Sequence, residues 1–184
     1  KLFQVNKVDF LTGTVNSGST LAVGQVAERN NRLIATTVSF ADSITADKCS
    51  ANVFRVNARA GMQSAALADW MATTQKDVKV FYLGPDYEMG RSTVAAFKSA
   101  AEGKGAKTVG EVFAPLDNKD YSPYFVQLRG ARPTVIYTSV AGNDTVRLFT
   151  QMAEFGVNRN IQVVGASGTV TGQNLAAIGQ AADG

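Results

Sequence analysis

Short apolar runs alternate with amphipathic stretches along this chain, and that alternation constrains its fold more than any other feature. Runs such as VKVFYL at residues 78–83 are largely apolar on both faces, which is typical of strands covered by helices on both sides of a parallel sheet. The sequence therefore predicts an α/β fold with a doubly wound parallel sheet. The predicted strands are residues 8–11, 33–36, 78–83, 108–113, 134–138 and 161–164.

The amphipathic stretches between these runs predict helices. Ser122 followed by Pro123 is a typical helix start, because serine caps the free N–H groups and proline fits the first helical position. Asn143 or Asp144 is the expected cap of the next helix. The predicted helices are residues 19–30, 62–74 and 91–102, the segment opened by Pro123, the segment that begins near residue 143, and residues 173–178.

Two sets of apolar side chains are expected in the core. Trp70 falls on one helix face with Ala66 and Leu67, and a second set recurs at three-to-four spacing at Val146, Phe149, Met152 and Phe155. The polar stretch 41–52 lacks such periodicity, so it is expected to carry the chain between two lobes.

The composition excludes several kinds of site. The 184 residues include no histidine and one cysteine, Cys49, which removes Ser-His-Asp triads, Cys-His dyads and imidazole-ligated metal sites. The net charge is +3, and because basic and acidic residues are interspersed, nucleic-acid binding is not expected. No cofactor, no metal and no catalytic activity are expected.

In an open parallel sheet, ligands bind beyond the carboxyl ends of the strands, so the loops after the strands are the candidate sites. The first loop has the glycine spacing of a phosphate loop but carries Ser19 where the phosphate-binding lysine would stand. It is therefore expected to hold one carboxylate at a helix N-terminus, the alternative being that Ser17 or Ser19 only caps the helix. The five loops span residues 13–20, 36–42, 84–90, 139–144 and 165–172.

The third loop offers Tyr87 as a stacking wall with a hydrogen-bonding tip, the alternative being a tyrosine at a surface turn. Asp86 and Glu88, or Asp144, could serve as acid and base. Because carboxylates near helix starts are usually caps or dipole partners, catalysis by them is not expected.

Five segments, taken in order and spacing, carry a resemblance to a known family. The chain resembles the type I periplasmic solute-binding proteins of the leucine/isoleucine/valine-binding class, which serve ABC importers. The segments are VDFLTGTVNSGST (8–20), RLIATTVSFADSIT (32–45), NVFRVNAR (52–59), VKVFYLGPDYEMG (78–90) and KDYSPYFVQLRGARPTVIY (119–137).

The resemblance implies two doubly wound, flavodoxin-like lobes that close over a ligand, of which this chain is expected to be an incomplete fragment. Residues 1–57 resemble part of the first lobe and residues 58–184 most of the second. It also implies a periplasmic protein whose signal peptide lies outside this sequence, with any disulfide partner of Cys49 in the missing part. The implied partners are a small-molecule ligand and ABC permease subunits, and a monomer is expected.

The resemblance implies a role for individual residues of this chain. Ser17 and its neighbour Gly18 are expected to bind the ligand carboxylate, together with the loop of Val38, Ser39 and Phe40. It makes Tyr87 the aromatic cover of the ligand.

The chain departs from the family where Ala141, beside Gly142, replaces a tyrosine, and where Ser167 replaces the glutamate that pairs with an amino-acid ammonium group. Because an unpaired buried charge costs several kcal/mol, an amino-acid ligand needs a substitute such as Asp86, Glu88 or Asp144. The expected ligand is instead an aromatic or aliphatic carboxylic acid with a neutral remainder. The alternatives are an amino acid with such a substitute, a ligand-sensing regulatory domain of the same fold, and an enzyme on a similar sheet.

Overall fold

Strands and helices alternate along the computed structural model, which describes residues 1–182. The strands are β1 (Phe10–Thr12), β2 (Leu33–Thr36), β3 (Val53–Arg55), β4 (Lys79–Pro85), β5 (Lys107–Ala114), β6 (Val135–Thr138) and β7 (Gln162–Gly165). The α-helices are α1 (Ser17–Arg29), α2 (Ala60–Thr74), α3 (Glu88–Gly103), α4 (Ser122–Ala131), α5 (Asn143–Glu154) and α6 (Gly172–Ile178). Short 3-10 helices cover Asp42–Thr45 and Gly179–Ala182.

The strands form two separate parallel sheets. The first has the order β1-β2-β3, and the second has the order β5-β4-β6-β7. The predicted α/β fold with parallel sheets is therefore confirmed. The chain passes from one sheet to the other through residues 56–59, and the division into residues 1–57 and 58–184 stays a prediction.

The second sheet is doubly wound because its central strand buries both faces. Val80 and Tyr82 of β4 pack in the apolar cluster formed with α2 and α3, whereas Phe81 and Leu83 pack in the cluster formed with α4 and α5. Phe97 of α3 is fully buried and stacks on Tyr137 of β6, with 4.1 Å between the ring centroids. These two clusters hold the carboxyl ends of β4 and β6 in fixed positions.

Within residues 1–182, apolar residues cover the first sheet on one face only. Ile34 of β2 packs with Ala27 of α1 on that face. On the other face Phe10, Leu33 and Phe54 are exposed. The strand register pairs Phe10 with Leu33, and Phe54 lies on the same face opposite Ala35.

The sequence does not predict strand β3, and the prediction that residues 41–52 connect the two lobes is wrong. This stretch contains a 3-10 helix and then leads into β3, which pairs with β2 inside the first sheet. Only three residues long, with Phe54 exposed, β3 has no apolar run by which the sequence could reveal it.

Three expectations about helix caps also need correction. The N-cap position of α4 is Tyr121, so Ser122 and Pro123 are the first two residues of that helix. Asn16, not Ser17 or Ser19, caps α1, since its side chain accepts the N–H of Ser19 at 3.0 Å. The N-cap position of α5 is Gly142, so Asn143 and Asp144 are the first residues of that helix.

Trp70 was wrongly placed in the core, because 45% of its surface is exposed. The buried positions of α2 are the smaller residues Ala60, Ser64, Ala68 and Met71, which define a different face of the helix. In α5 the buried face of the helix likewise differs from the predicted one. Its buried positions are Asp144, Thr145, Leu148 and Met152, and Phe155 is exposed.

No helix within residues 1–182 combines the length and the apolar character needed to cross a membrane.

Candidate functional site

The strand order of the second sheet creates a crevice at the carboxyl ends of β4 and β6. β5 lies on one side of β4, while β6 and β7 lie on the other, so the connections diverge between β4 and β6. Ligands of open α/β sheets bind at such a switch point. The chain leaves β4 towards Tyr87 and leaves β6 towards Ala141 and Gly142.

A cavity of about 460 Å³ opens at this crevice, within the range of about 300–1,000 Å³ typical of small-molecule sites. Segments that follow strands of both sheets contribute to its wall. Its lining consists of Val15, Val38, Phe40, Tyr87, Met89, Thr93, Ser139, Ala141, Gly142, Asn143, Val146, Ala166, Ser167, Gly168, Thr169, Thr171, Gln173, Asn174 and Ala177.

The cavity wall contains no Asp, Glu, Lys or Arg among the residues that the structure describes. Its polar groups are hydroxyls, two asparagine amides, one glutamine amide and backbone. A ligand with a net charge would therefore have to be held by hydrogen bonds and dipoles rather than by an opposite charge.

The first turns of two long helices reach this wall. Tyr87 precedes α3 and Met89 lies in its first turn, and Gly142 precedes α5, whose first residue is Asn143. Helix N-termini present free N–H groups and the positive end of the helix dipole. An anionic group placed against either helix start would therefore be stabilised by the helix dipole.

Six of the nine site residues named from the sequence line this cavity together. They are Val38, Phe40, Tyr87, Ala141, Gly142 and Ser167. Their contact with a ligand stays a prediction, but the structure places residues from segments that follow strands of both sheets around one cavity.

Ser17, Gly18 and Ser39 do not line the cavity. Ser17 is fully buried, and its hydroxyl accepts the N–H of Ala41 at 3.2 Å. Ser39 is also fully buried, and its hydroxyl donates to the carbonyl of Thr14 at 2.7 Å. With Asn16 as the cap, Ser17 turns inward, so these serines hold the segment that presents Val38 and Phe40.

Two of the acidic residues considered as substitutes pair with arginines instead of entering the cavity. Asp86 is exposed in the turn before α3 and lies 2.6 Å from Arg91 of that helix. Asp144 lies 2.6 Å from Arg147 and accepts the backbone N–H of Asp117 at 2.9 Å.

Glu88, the third acidic candidate, points to the first sheet's half of the chain. Its carboxylate accepts a hydrogen bond from the hydroxyl of Ser43 at 2.8 Å and lies 3.5 Å from Nζ of Lys48. Glu88 is therefore not part of the cavity wall.

Tyr87 remains a neutral phenol at ordinary pH. Burial raises the pKa of Tyr87, and the charge of Asp144 raises it further. Its hydroxyl donates to Sδ of Met89 at 3.4 Å, which fixes the ring along the wall.

The sequence did not point to the part of the wall formed by α6. Thr171 and Asn174 form a capping box, in which each side chain bonds the other's backbone N–H. This box places Gln173 and Ala177 on the cavity. The sequence does predict the polar turn before α6. It does not show which residues of so short a helix face the cavity.

No cluster of three or more His, Cys, Asp or Glu side chains in residues 1–182 could hold a metal ion.

Comparison with known families identifies the chain's relatives. A sequence model described as periplasmic binding protein matches residues 1–184. The Leu/Ile/Val-binding protein homolog 3 of Brucella melitensis is 29% identical over 130 residues, which cover 71% of this chain and 35% of that protein. The Leu/Ile/Val-binding protein BraC3 of Rhizobium johnstonii is 25% identical, with 84% of this chain and 42% of that protein covered.

Two solved structures are similar over nearly the whole chain. A solute-binding protein of an ABC transporter from R. palustris, in complex with benzoate, has a TM-score of 0.89 at 26% identity, with 100% of this chain and 50% of that chain covered. A second, from Rhodopseudomonas palustris BisB5 with 3,4-dihydroxy benzoic acid, has a TM-score of 0.88 at 25% identity, with 98% and 49% covered. The chain thus spans half or less of the length of these proteins.

Proposed function

This chain belongs to the periplasmic binding protein family, and on that premise we propose that it captures a small carboxylic acid in the cavity between its two sheets. The favoured ligand is an aromatic or aliphatic acid whose remainder is neutral. The protein performs no reaction on it and changes state by closing around it.

The uncharged cavity wall is the observation that carries this proposal. An amino acid brings an ammonium group, which needs a carboxylate partner when it leaves water. Ser167 offers only a hydroxyl, and the acidic residues nearby are already paired. An acid with a neutral remainder leaves no positive charge unpaired.

The acid group is expected at the N-terminus of α5. There the free N–H groups after Gly142 and the hydroxyl of Ser167 can donate to carboxylate oxygens, and the helix dipole stabilises the negative charge. This assignment replaces the one based on Ser17, whose hydroxyl is buried behind the wall.

The neutral remainder is expected to lie against the aromatic and apolar part of the wall. Phe40 and Tyr87 can flank a ring, and Ala141 leaves space that a larger residue would fill. The similar proteins solved with benzoate and 3,4-dihydroxy benzoic acid support an aromatic acid.

A thermal-shift titration of the intact protein with benzoate and leucine tests this proposal. A ligand at about 100 times its Kd stabilises by about 2.7 kcal/mol, so benzoate should raise the melting temperature by roughly 5–10 °C. Benzamide, which has the shape of benzoate without its charge, is the matched control and should produce little shift. Stabilisation by leucine or valine without stabilisation by benzoate would overturn the proposal.

Branched-chain amino-acid binding is the second candidate, because the relatives in Brucella and Rhizobium are named for leucine, isoleucine and valine. It requires a carboxylate at the cavity from a residue outside the described part of the chain. The same titration separates the two candidates.

We further propose a periplasmic location, delivery of the ligand to ABC permease subunits and a monomeric state. A ligand-sensing domain of the same fold is the alternative role. A permease gene beside the gene for this protein, together with uptake that is lost on its deletion, would support transport over sensing.

A further inference from the structure

Glu88 joins the two halves of the molecule by a hydrogen bond across the crevice. It is the first residue of α3, whereas its partner Ser43 lies in the 3-10 helix that follows β2. The Ser43 hydroxyl donates to Glu88 Oε1 at 2.8 Å, and Lys48 Nζ lies 3.5 Å from the same oxygen. Only 34% of the Glu88 side chain is exposed, so solvent screens this contact less than it would a fully exposed pair.

Both ends of this contact lie beside residues that line the cavity. Tyr87 and Met89 flank Glu88 in sequence, and Phe40 lies three residues before Ser43. The backbone between Phe40 and Ser43 is itself held in place, since the Phe40 carbonyl accepts a hydrogen bond from the backbone of α2 at 2.8 Å. The contact therefore helps to hold the two opposing walls together, alongside the hydrogen bond that Ser92 Oγ of α3 accepts from the Asp42 N–H at 3.3 Å.

We propose that Glu88 is a positioning residue for the ligand site, which holds the segment carrying Phe40 against the helix carrying Tyr87 and Met89. This inference rests on the proposed function of the cavity. A ligand that needs both walls binds only when they are together, so its apparent Kd is the intrinsic Kd divided by the fraction of closed molecules. A contact made across the crevice raises that fraction without touching the ligand.

Asp86 provides a matched control two residues away. Its carboxylate also pairs with a basic side chain, at 2.6 Å, but that partner is Arg91 of α3, on the same side of the crevice. It does not line the cavity. Removing its charge changes the same region of the surface without changing a contact across the crevice.

The experiment measures benzoate dissociation by stopped flow in the intact protein and in three variants, Glu88→Ala, Glu88→Gln and Asp86→Asn. Loss of a hydrogen bond to a charged acceptor should raise the dissociation rate of the alanine variant about tenfold. The glutamine variant should lie closer to wild type, since its amide oxygen can still accept from Ser43. The Asp86 variant should match wild type.

Melting temperatures without ligand separate positioning from a merely structural role. All three variants should stay within about 2 °C of wild type, because partly exposed polar pairs contribute little to stability. Equal dissociation rates for the Glu88→Ala and Asp86→Asn variants would overturn the inference. So would a change of melting temperature with no change in dissociation rate.

A ligand-free measurement distinguishes failure of this inference from failure of the proposed function. Cys49 is exposed beside Lys48, and Ser99 is exposed on α3, so spin labels at Cys49 and at Ser99→Cys report the distance across the crevice. Glu88→Ala should lengthen and broaden the distance distribution, and Asp86→Asn should not. If no acid binds the wild-type protein, the proposed function fails, whereas an unchanged distribution in Glu88→Ala overturns the positioning role.

Discussion

Replacing Ser167 by glutamate would place a carboxylate on a wall that carries none among the described residues. The ligand proposed for this cavity carries a negative charge, so the two carboxylates repel. Because a cavity of about 460 Å³ has the volume of a sphere roughly 10 Å across, this repulsion is at least about 1.7 kcal/mol at an effective dielectric constant of about 20. The Kd for benzoate should therefore rise by about 15- to 20-fold or more.

Isothermal titration calorimetry on the intact protein would measure this change. Ser167→Gln is the matched control, because glutamine has the size of glutamate without its charge. The glutamate variant should also shift preference towards leucine, whose ammonium group gains a partner. Equal losses in the two variants would show that size rather than charge is responsible. Unchanged benzoate affinity in Ser167→Glu would show that the ligand's acid group does not occupy this cavity.

Four further predictions concern stability. Phe97→Ala should lower the free energy of unfolding by about 3–5 kcal/mol, measured by denaturant titration, because this fully buried ring leaves a cavity. Gly90→Ala should cost about 1–3 kcal/mol in the same assay, since a Cβ there would lie 2.1 Å from the carbonyl oxygen at the end of β4. Gly103→Ala, whose Cβ would meet nothing within 4 Å, should instead be neutral or stabilise by up to about 1 kcal/mol. Burial raises the pKa of Tyr82 from 10.0 to about 12, so the neutral phenol's contribution to stability is complete below pH 10 and lost as the pH rises towards 12. The melting temperature should fall more steeply over that interval in wild type than in Tyr82→Phe, and parallel curves would contradict this.

The sequence predicted most of the second sheet because burial on both faces leaves long apolar runs. Val80 to Leu83 of β4 are all buried, and every residue of β6 is buried. β3 could not be predicted, because it is defined by three residue pairs with β2, and such a tertiary contact leaves no pattern in the local sequence. The position of Trp70 could not be predicted from helical spacing, since three of the four buried residues of α2 are small.

The candidate site was predicted at the level of loops, and less well at the level of side chains. The rule that strand ends converge placed Tyr87 and Ser167 around one space, as the structure shows. It could not show which way Ser17 turns, because that depends on whether Asn16 or a serine caps α1. Nor could it show that Glu88 bonds Ser43, a contact between residues 45 positions apart.

The uncharged wall of the cavity has a consequence for the conditions under which the protein would work. The sequence has no histidine, and Tyr87, the titratable side chain in the described lining, keeps its proton well into the alkaline range. Between roughly pH 5 and 9 neither this lining nor a carboxylic acid ligand changes protonation. Such a site would hold its acid equally well at mildly acidic and mildly alkaline pH, so that occupancy would follow the supply of the acid rather than the acidity of the medium.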